Sequence, residues 1–149
     1  MTTVSTEVIE VRRTFAAPRE KVFEAWISPK LMPRWFGRGS KEQKETKVVE
    51  VDARPGGTYR VVVTAPDGKL YHMFGTYREV VPPEKLVFTW TWEGADFQTS
   101  EVNVEFRTLG QSNFTEVVLR HSLLPEKWRE DHRQGWNACF NMLEQMVAA

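Results

Sequence analysis

The chain of 149 residues has the usual length of one domain, and a domain of this size buries roughly 68 to 70% of its unfolded surface. Its twenty basic residues balance its twenty acidic residues, which argues against nucleic acid or an anionic membrane as a partner. Aliphatic runs such as Val61–Val63 are too short to cross a bilayer, the N-terminus lacks a signal-peptide pattern, and the lone Cys139 excludes an internal disulfide. We therefore expect a single domain over residues 1–149, cytoplasmic and without membrane insertion.

The N-terminal region predicts one strand followed by two short helices. A β-type run extends from Glu7 to Phe15. Pro18 is placed as a first-turn proline, and apolar residues then recur at spacings of three and four, at Val22, Phe23, Trp26 and Ile27. A second cap-and-proline start at Ser28 predicts another short helix, which ends near Gly37 and Gly39.

The middle of the chain predicts an antiparallel sheet. Six extended runs follow one another: Lys44 to Val51, Thr58 to Thr64, Leu70 to Val81, Leu86 to Trp92, Ser100 to Arg107 and Phe114 to His121. Short segments with turn residues, such as Pro55-Gly56-Gly57, separate these runs. Sequence neighbours should therefore pair, which with the first strand gives a sheet of about seven strands.

Alternation assigns the buried face of the last three strands. Their apolar residues share one phase: Leu86, Phe88, Trp90 and Trp92, then Val102, Val104 and Phe106, then Val117, Leu119 and His121. Intervening residues such as Thr89, Thr91 and Glu105 suit solvent. The run from Leu70 to Val81 shows no clear phase, so its buried face stays open.

The C-terminal region predicts one long helix that begins at Pro125 and Glu126. Its apolar stripe recurs at helical spacing, at Trp128, His132, Trp136, Cys139, Leu143 and Met146. A helix of about 22 residues is roughly 33 Å long and can cover one face of the sheet. This order of elements predicts an α+β, helix-grip fold, in which a curved antiparallel sheet wraps the helix and leaves a cavity near its middle.

Aromatic residues are abundant, with six Trp, nine Phe and three Tyr. Such rings wall ligand pockets, and they also build ordinary cores, so both interpretations of the inward stripe stay open. Gly135 beside Trp136 is unfavourable within a helix by about 1 kcal/mol, which is typical of a close approach or of space for a guest.

The chemistry of common active sites is missing from the sequence. The three histidines, His72, His121 and His132, have no metal-binding spacing, so we expect no metal and no cofactor. No serine-nucleophile or phosphate-loop motif occurs, and Cys139 lies on the apolar helix face. His121 alone shares the inward phase and is a weak candidate for a general base or a polar anchor.

Several motifs resemble one known family. They are Asp52-Ala-Arg-Pro-Gly-Gly57, Gly75-Thr-Tyr-Arg-Glu-Val80, Pro82-Pro-Glu-Lys-Leu-Val-Phe-Thr-Trp90 and Gly135-Trp136. The pattern is similar to bacterial relatives of the C-terminal domain of the Hsp90 ATPase activator, within the Bet v 1 and START-related superfamily. The resemblance covers nearly the whole chain and implies the Bet v 1-like fold, on which many functions occur. It also implies a chaperone partner, although the eukaryotic activator uses an additional N-terminal domain for which we expect no room here.

The leading hypothesis is a binding protein that carries, sequesters or senses a small hydrophobic molecule. Polar anchoring would fall to Tyr77 or His121, and the predicted ligand-binding residues are Tyr77, Phe88, Trp90, Trp92, Val104, Phe106, Val117, Leu119, His121, Trp136 and Phe140. Two alternatives remain: a cofactor-free cyclase or hydrolase for an aromatic or polyketide-like substrate, and a modulator of an Hsp90-type ATPase. The sequence leaves a homodimer open.

Overall fold

The computed structural model describes residues 8–36, 45–65, 67–95, 99–110 and 113–148. Its elements in chain order are β1 (Ile9–Phe15), α1 (Arg19–Ile27), β2 (Glu45–Val51), β3 (Thr58–Thr64), β4 (Leu70–Val81), β5 (Lys85–Trp92), β6 (Ser100–Thr108), β7 (Thr115–Ser122) and α2 (Glu126–Ala148). The predicted strand start at Glu7, the start at Lys44 and the helix end at Gly37 and Gly39 lie outside the described residues.

The described strands form one curved antiparallel sheet in the order β1-β7-β6-β5-β4-β3-β2. Strands β2 to β7 make the predicted meander, and β1 pairs with β7 from Ile9 opposite His121 to Phe15 opposite Thr115. Both helices lie against the sheet, so the α+β helix-grip prediction is confirmed. No helix in the described part of the chain is both long and apolar enough to span a bilayer.

The prediction of a second short α-helix is wrong, because the segment forms only a 3-10 turn. The chain turns at Ser28, whose carbonyl accepts hydrogen bonds from the backbone N–H groups of Leu31 and Met32, and then makes one 3-10 turn over Met32–Arg34. Pro33 lies in that turn, and a proline has no N–H to continue a hydrogen-bonded helix. The segment still buries Met32, Trp35 and Phe36, as its apolar stripe indicated.

Strand β4 changes its buried face at a β-bulge. Up to Tyr77 its residues pair in one register with β5, and from Glu79 the register has shifted by one residue. Gly75 and Tyr77 therefore face the core before the bulge, whereas Val80 packs on the core after it. An inserted residue moves later side chains to the opposite face, which explains why no single phase fits this strand.

Helix α1 fills the interior beneath β6. The Phe23 and Phe106 rings meet edge to face with centroids 5.1 Å apart, and Trp26 contacts both Phe106 and Phe140 at 6.0 Å. Phe15 also meets Phe140 at 5.6 Å. This half of the concave face is therefore packed with rings from α1, β1, β6 and α2, and any ligand space must lie elsewhere.

The outer face of the sheet is less polar than predicted. Thr89 and Thr91, which we expected in solvent, are each only 7% exposed, and Val87 of β5 and Val118 of β7 are also buried. Thr89 has a structural use for its hydroxyl, because Oγ1 accepts a hydrogen bond from the Thr76 backbone N–H at 2.8 Å. Long charged side chains such as Arg120, paired with Glu10 at 3.1 Å, lie over other parts of this face.

Candidate functional site

A cleft of about 750 Å³ opens between the first half of α2 and the paired strands β4 and β5. Six of its lining residues in the described part of the chain are Phe, Tyr or Trp: Phe36, Tyr71, Trp90, Trp92, Trp128 and Trp136. Met73, Cys139 and Ala138 complete the apolar surface, and Asp131, His132, Gln134 and Gly135 line the helix side. We call this space the tryptophan cleft.

Alternation along the strand and helical spacing along α2 bring these lining residues to the cleft. Alternate residues of β5 face inward, so Trp90 and Trp92 lie on the helix side, and Trp92 stands opposite Met73 of β4. On α2, Trp128, His132, Gly135 and Cys139 follow one another at steps of three and four residues, which keeps them on one face. The strand and the helix thereby turn two rows of large side chains toward the same space.

A buried chain of hydrogen bonds lies beneath the cleft. The Trp136 indole N–H donates to His121 Nδ1 at 3.1 Å, and His121 Nε2 lies 2.7 Å from Ser100 Oγ. An indole nitrogen can only donate, so Nδ1 accepts and the histidine proton resides on Nε2, which donates to Ser100. The Ser100 hydroxyl then donates to the Trp90 carbonyl oxygen at 2.9 Å. Both nitrogens of His121 are therefore occupied by protein groups.

His132 repeats this arrangement in the cleft wall. The Trp90 indole N–H donates to His132 Nε2 at 3.3 Å, so Nδ1 carries the proton and donates to the Trp128 carbonyl at 2.8 Å. The His132 ring stacks on Trp92 with centroids 5.3 Å apart and lies 5.4 Å from the ring of His121. Each histidine is thus the acceptor for one cleft tryptophan.

Both histidines are held in the neutral state. Burial lowers the pKa of His121 well below its ordinary value, and the neighbouring His132 adds to that shift. Burial also lowers the pKa of His132, although its bond to the Trp128 carbonyl and the nearby Asp131 carboxylate oppose the change. A neutral ring whose acceptor nitrogen already holds an indole N–H has no lone pair free to take a proton from a substrate, which gives no support to general-base catalysis.

The structure brings three predicted ligand residues to the cleft, Trp90, Trp92 and Trp136. Five others lie in the packed core at 0 to 1% exposure: Val104, Phe106, Val117, Leu119 and Phe140. Tyr77 and Phe88 pack with Tyr59 around a void of only about 10 Å³, at the lower limit for one water molecule. His121 lies below the cleft, bonded as described, and does not line it.

Several cleft residues were missed by sequence reasoning. Trp128, His132 and Cys139 share the helical stripe of Trp136, so the same spacing could have placed them together. Tyr71 and Met73 belong to the strand whose face the sequence left open. Asp131 and Gln134 carry no such signal, because polar residues at the edge of an apolar stripe look like ordinary solvent-facing positions.

Gly135 lines the cleft and gives it width. A Cβ atom placed on Gly135 would meet no heavy atom within 4 Å, so no neighbour approaches the backbone closely there. Of the two readings that the sequence left open for Gly135, the structure therefore agrees with space and not with a close approach. Among the described residues, no three His, Cys, Asp or Glu side chains cluster in a way that could hold a metal ion.

Comparison with solved structures finds the same fold in many proteins. Protein CV1439 from Chromobacterium violaceum is 24% identical, with a TM-score of 0.85 over 95% of this chain and 97% of that chain. Protein Ms6760 from Mycobacterium smegmatis is 18% identical, with a TM-score of 0.81 over 99% and 94% of the two chains. CalU16 from Micromonospora echinospora is 26% identical, with a TM-score of 0.70 over 94% of this chain and 75% of that chain.

Comparison at the level of sequence agrees with the fold. No protein with a curated description matches the chain significantly. The family model described as activator of Hsp90 ATPase homolog 1-like protein matches residues 16–148, which span α1, the whole meander and α2. The chain therefore belongs to the activator of Hsp90 ATPase homolog 1-like family.

Proposed function

We propose that the protein binds a small, largely apolar molecule in the tryptophan cleft, as a carrier, a sequestering protein or a sensor. The observation that carries this proposal is the cleft itself: about 750 Å³ lined mainly by apolar and aromatic side chains, next to an interior that is otherwise packed. Small-molecule sites in proteins typically measure about 300 to 1,000 Å³ and have mostly apolar and aromatic walls.

Burial and hydrogen bonding support binding over catalysis. Leaving large rings at an open cleft forgoes about 25 cal/mol for each Å² of apolar surface that a guest could cover. Trp92 and Trp128 are only partly buried there, while Trp90 and Trp136 behind them are buried and each donates its indole N–H to a histidine. A preorganised apolar wall of this kind reduces the entropy lost on ligand binding.

Gly135 provides the test, because it lines the cleft and has open space for a side chain. We expect Gly135→Ala to stabilise the protein by about 0.5 to 1 kcal/mol, since alanine replaces glycine within a helix, and to retain binding. We expect Gly135→Phe to remain folded but to weaken binding by about tenfold or more, equivalent to about 1.4 kcal/mol, because its ring occupies the ligand space. A hydrophobic library screened by thermal shift and ligand-observed NMR measures both effects.

Gln145→Phe is the matched control, since residue 145 is exposed on the same helix and lies outside the cleft. It adds the same ring and should leave affinity unchanged. A saturable ligand that binds Gly135→Phe as tightly as the parent protein would place the binding site elsewhere. Absence of any binder across a broad library would remove the proposed function.

A second candidate, modulation of an Hsp90-type ATPase, is favoured by one observation, the family match over residues 16–148. If the protein acts in this way, saturating amounts should change the steady-state ATPase rate of the Hsp90-type chaperone from the same organism. The Gly135→Phe variant, measured beside the parent protein, shows whether the cleft takes part in that change. An unchanged ATPase rate would eliminate this candidate and leave ligand binding unaffected.

A further inference from the structure

The charge on the cleft wall limits which ligands fit. Asp131 is the only acidic residue among the lining residues in the described part of the chain, and no lysine or arginine lines the cleft. The imidazole of His132, which also lines the cleft, is held neutral because burial lowers its pKa. An anionic ligand would therefore meet no basic residue in the lining and would approach the Asp131 carboxylate, whereas a cationic ligand would be attracted to it.

Hydrogen-bonding capacity points in the same direction. The N–H groups of Trp90 and Trp136 donate to His132 and His121, so these two indoles can offer a ligand only ring surface. A neutral polar ligand would gain few donors from them, but the negative face of an indole is the best aromatic partner for a cation. Because the two histidines occupy these N–H groups, Trp90 and Trp136 can interact with a ligand only through their ring surfaces.

Most ring pairs in the cleft wall are steeply inclined, although His132 stacks on Trp92 at 24°. Trp92 meets Trp128 at 86° with centroids 5.3 Å apart, and Phe36 meets Trp90 at 60° and Trp136 at 75°. Parallel plates would favour a flat neutral ring, whereas inclined rings present several faces to one rounded group. The ammonium group of Lys127, the residue before Trp128, lies 5.5 Å from the Trp128 centroid in a cation–π contact.

We propose that the ligand of the tryptophan cleft carries a rounded onium cation, such as a quaternary ammonium group, on an apolar body. The cation contacts the inclined tryptophan rings near Asp131, and the apolar body lies against Met73 and Phe36. This inference rests on the proposed function, because it names the chemical class of ligand for the same cleft.

Three probes with the same naphthylmethyl body test this assignment: (2-naphthylmethyl)trimethylammonium, its isosteric carbon analogue 2-neopentylnaphthalene, and the anion 2-naphthylacetate. We expect the cation to bind about fivefold or more tightly than the isostere, from contact with at least two rings, and the carboxylate to bind most weakly. Affinities measured by protein-observed NMR, all at one ionic strength, give the ratios directly.

Two variants separate charge from shape. Asp131→Asn, at an exposed position, should weaken the cation about two- to fivefold and leave the isostere unchanged. Trp92→Leu keeps an apolar side chain but removes a π face, so it should reduce the ratio of cation to isostere affinity. Circular dichroism checks that both variants are folded.

The possible outcomes distinguish the cation assignment from the proposed ligand-binding function on which it rests. If the isostere binds as tightly as the cation and Gly135→Phe blocks it, the cation assignment is wrong and the proposed apolar binding stands. If the carboxylate binds most tightly, the cation assignment is also wrong. If none of the three probes binds, and no library compound binds either, both proposals fail together.

Discussion

Gly75→Ala should destabilise the protein by about 3 kcal/mol or more, the largest effect that we expect from removing or adding one methyl group in this chain. The added Cβ atom would lie 2.8 Å from Tyr59 Cε1 and 2.8 Å from the carbonyl carbon of Thr89. One of these neighbours is backbone in the middle of the sheet, so it cannot move without opening the β4–β5 pairing.

The clash arises because Tyr59 reaches across β4 at Gly75. Its phenol donates a hydrogen bond to the Thr89 carbonyl of β5 at 2.6 Å, and the ring passes over Gly75 to reach that oxygen. The hydrogen bond ties β3 to β5, two strands that are not neighbours in the sheet. A side chain at residue 75 would displace the ring and leave a buried carbonyl without its partner, which costs about 1 to 3 kcal/mol by itself.

The expected loss of stability has a steric cause and not a conformational one, because the backbone of Gly75 does not have a positive φ. Gly135→Ala is the matched control: the same substitution, with open space around the new methyl group, should stabilise the protein. Urea denaturation followed by tryptophan fluorescence measures both variants. Equal unfolding free energies for Gly75→Ala and the parent protein would show that Tyr59 does not cross β4 as described.

The sequence predicts the order of the elements well because their patterns are local. Alternation in β5, β6 and β7 depends only on neighbouring residues, and so does the spacing of Trp128, Trp136 and Leu143 along α2. These patterns also identify one face of each element. They are sufficient to predict a sheet covered by one long helix.

The position of the cleft could not be read in the same way. Phe106 and Trp90 share the inward phase of adjacent strands, yet Phe106 contacts Phe23 and Trp26 of α1 while Trp90 borders the cleft. Alternation reports which face a residue occupies but not what fills the space above it. That depends on the path of α1 across β6, a tertiary contact without a pattern in the sequence.

The role of His121 shows the same limit. Its inward phase is visible in the sequence, and its complete burial follows from that phase. The partners that occupy its two nitrogens, Trp136 and Ser100, are 15 and 21 residues away in the chain. A free base and a bonded structural histidine have the same sequence pattern, and only the three-dimensional contacts distinguish them.

Acid should destabilise the protein in a pH range where most proteins are still near their maximum stability. His121 and His132 have pKa values lowered by burial in the folded state, whereas in the unfolded chain they titrate near 6.5. Above pH 6.5 both states are neutral and the stability is complete. Below it the unfolded chain binds protons that the folded protein does not, so the free energy of unfolding falls.

The slope is about 1.4 kcal/mol per pH unit for each histidine that stays neutral, and the loss ends once the pH is below the folded pKa of that histidine. From pH 6.5 to pH 5 we expect a loss of about 1.5 to 3 kcal/mol, with His121 contributing over the wider range because its environment is more buried. Urea denaturation at half-unit intervals of pH measures this slope.

Substitutions at the two histidines distinguish their contribution to the pH dependence of stability from that of the carboxylates. His132→Gln can still accept from the Trp90 indole and donate to the Trp128 carbonyl, but it takes up no proton, so it should remove the His132 share of the slope. His121→Gln should remove the larger share for the same reason. Glu10 and Glu130 have pKa values lowered below 4.5, by hydrogen bonds from Arg12 and Arg133, so they act only at more acidic pH. If the double variant lost stability between pH 6.5 and 5 as steeply as the parent protein, the neutral Trp–His pairs would not be the cause, and the tautomers assigned beneath the cleft would be wrong.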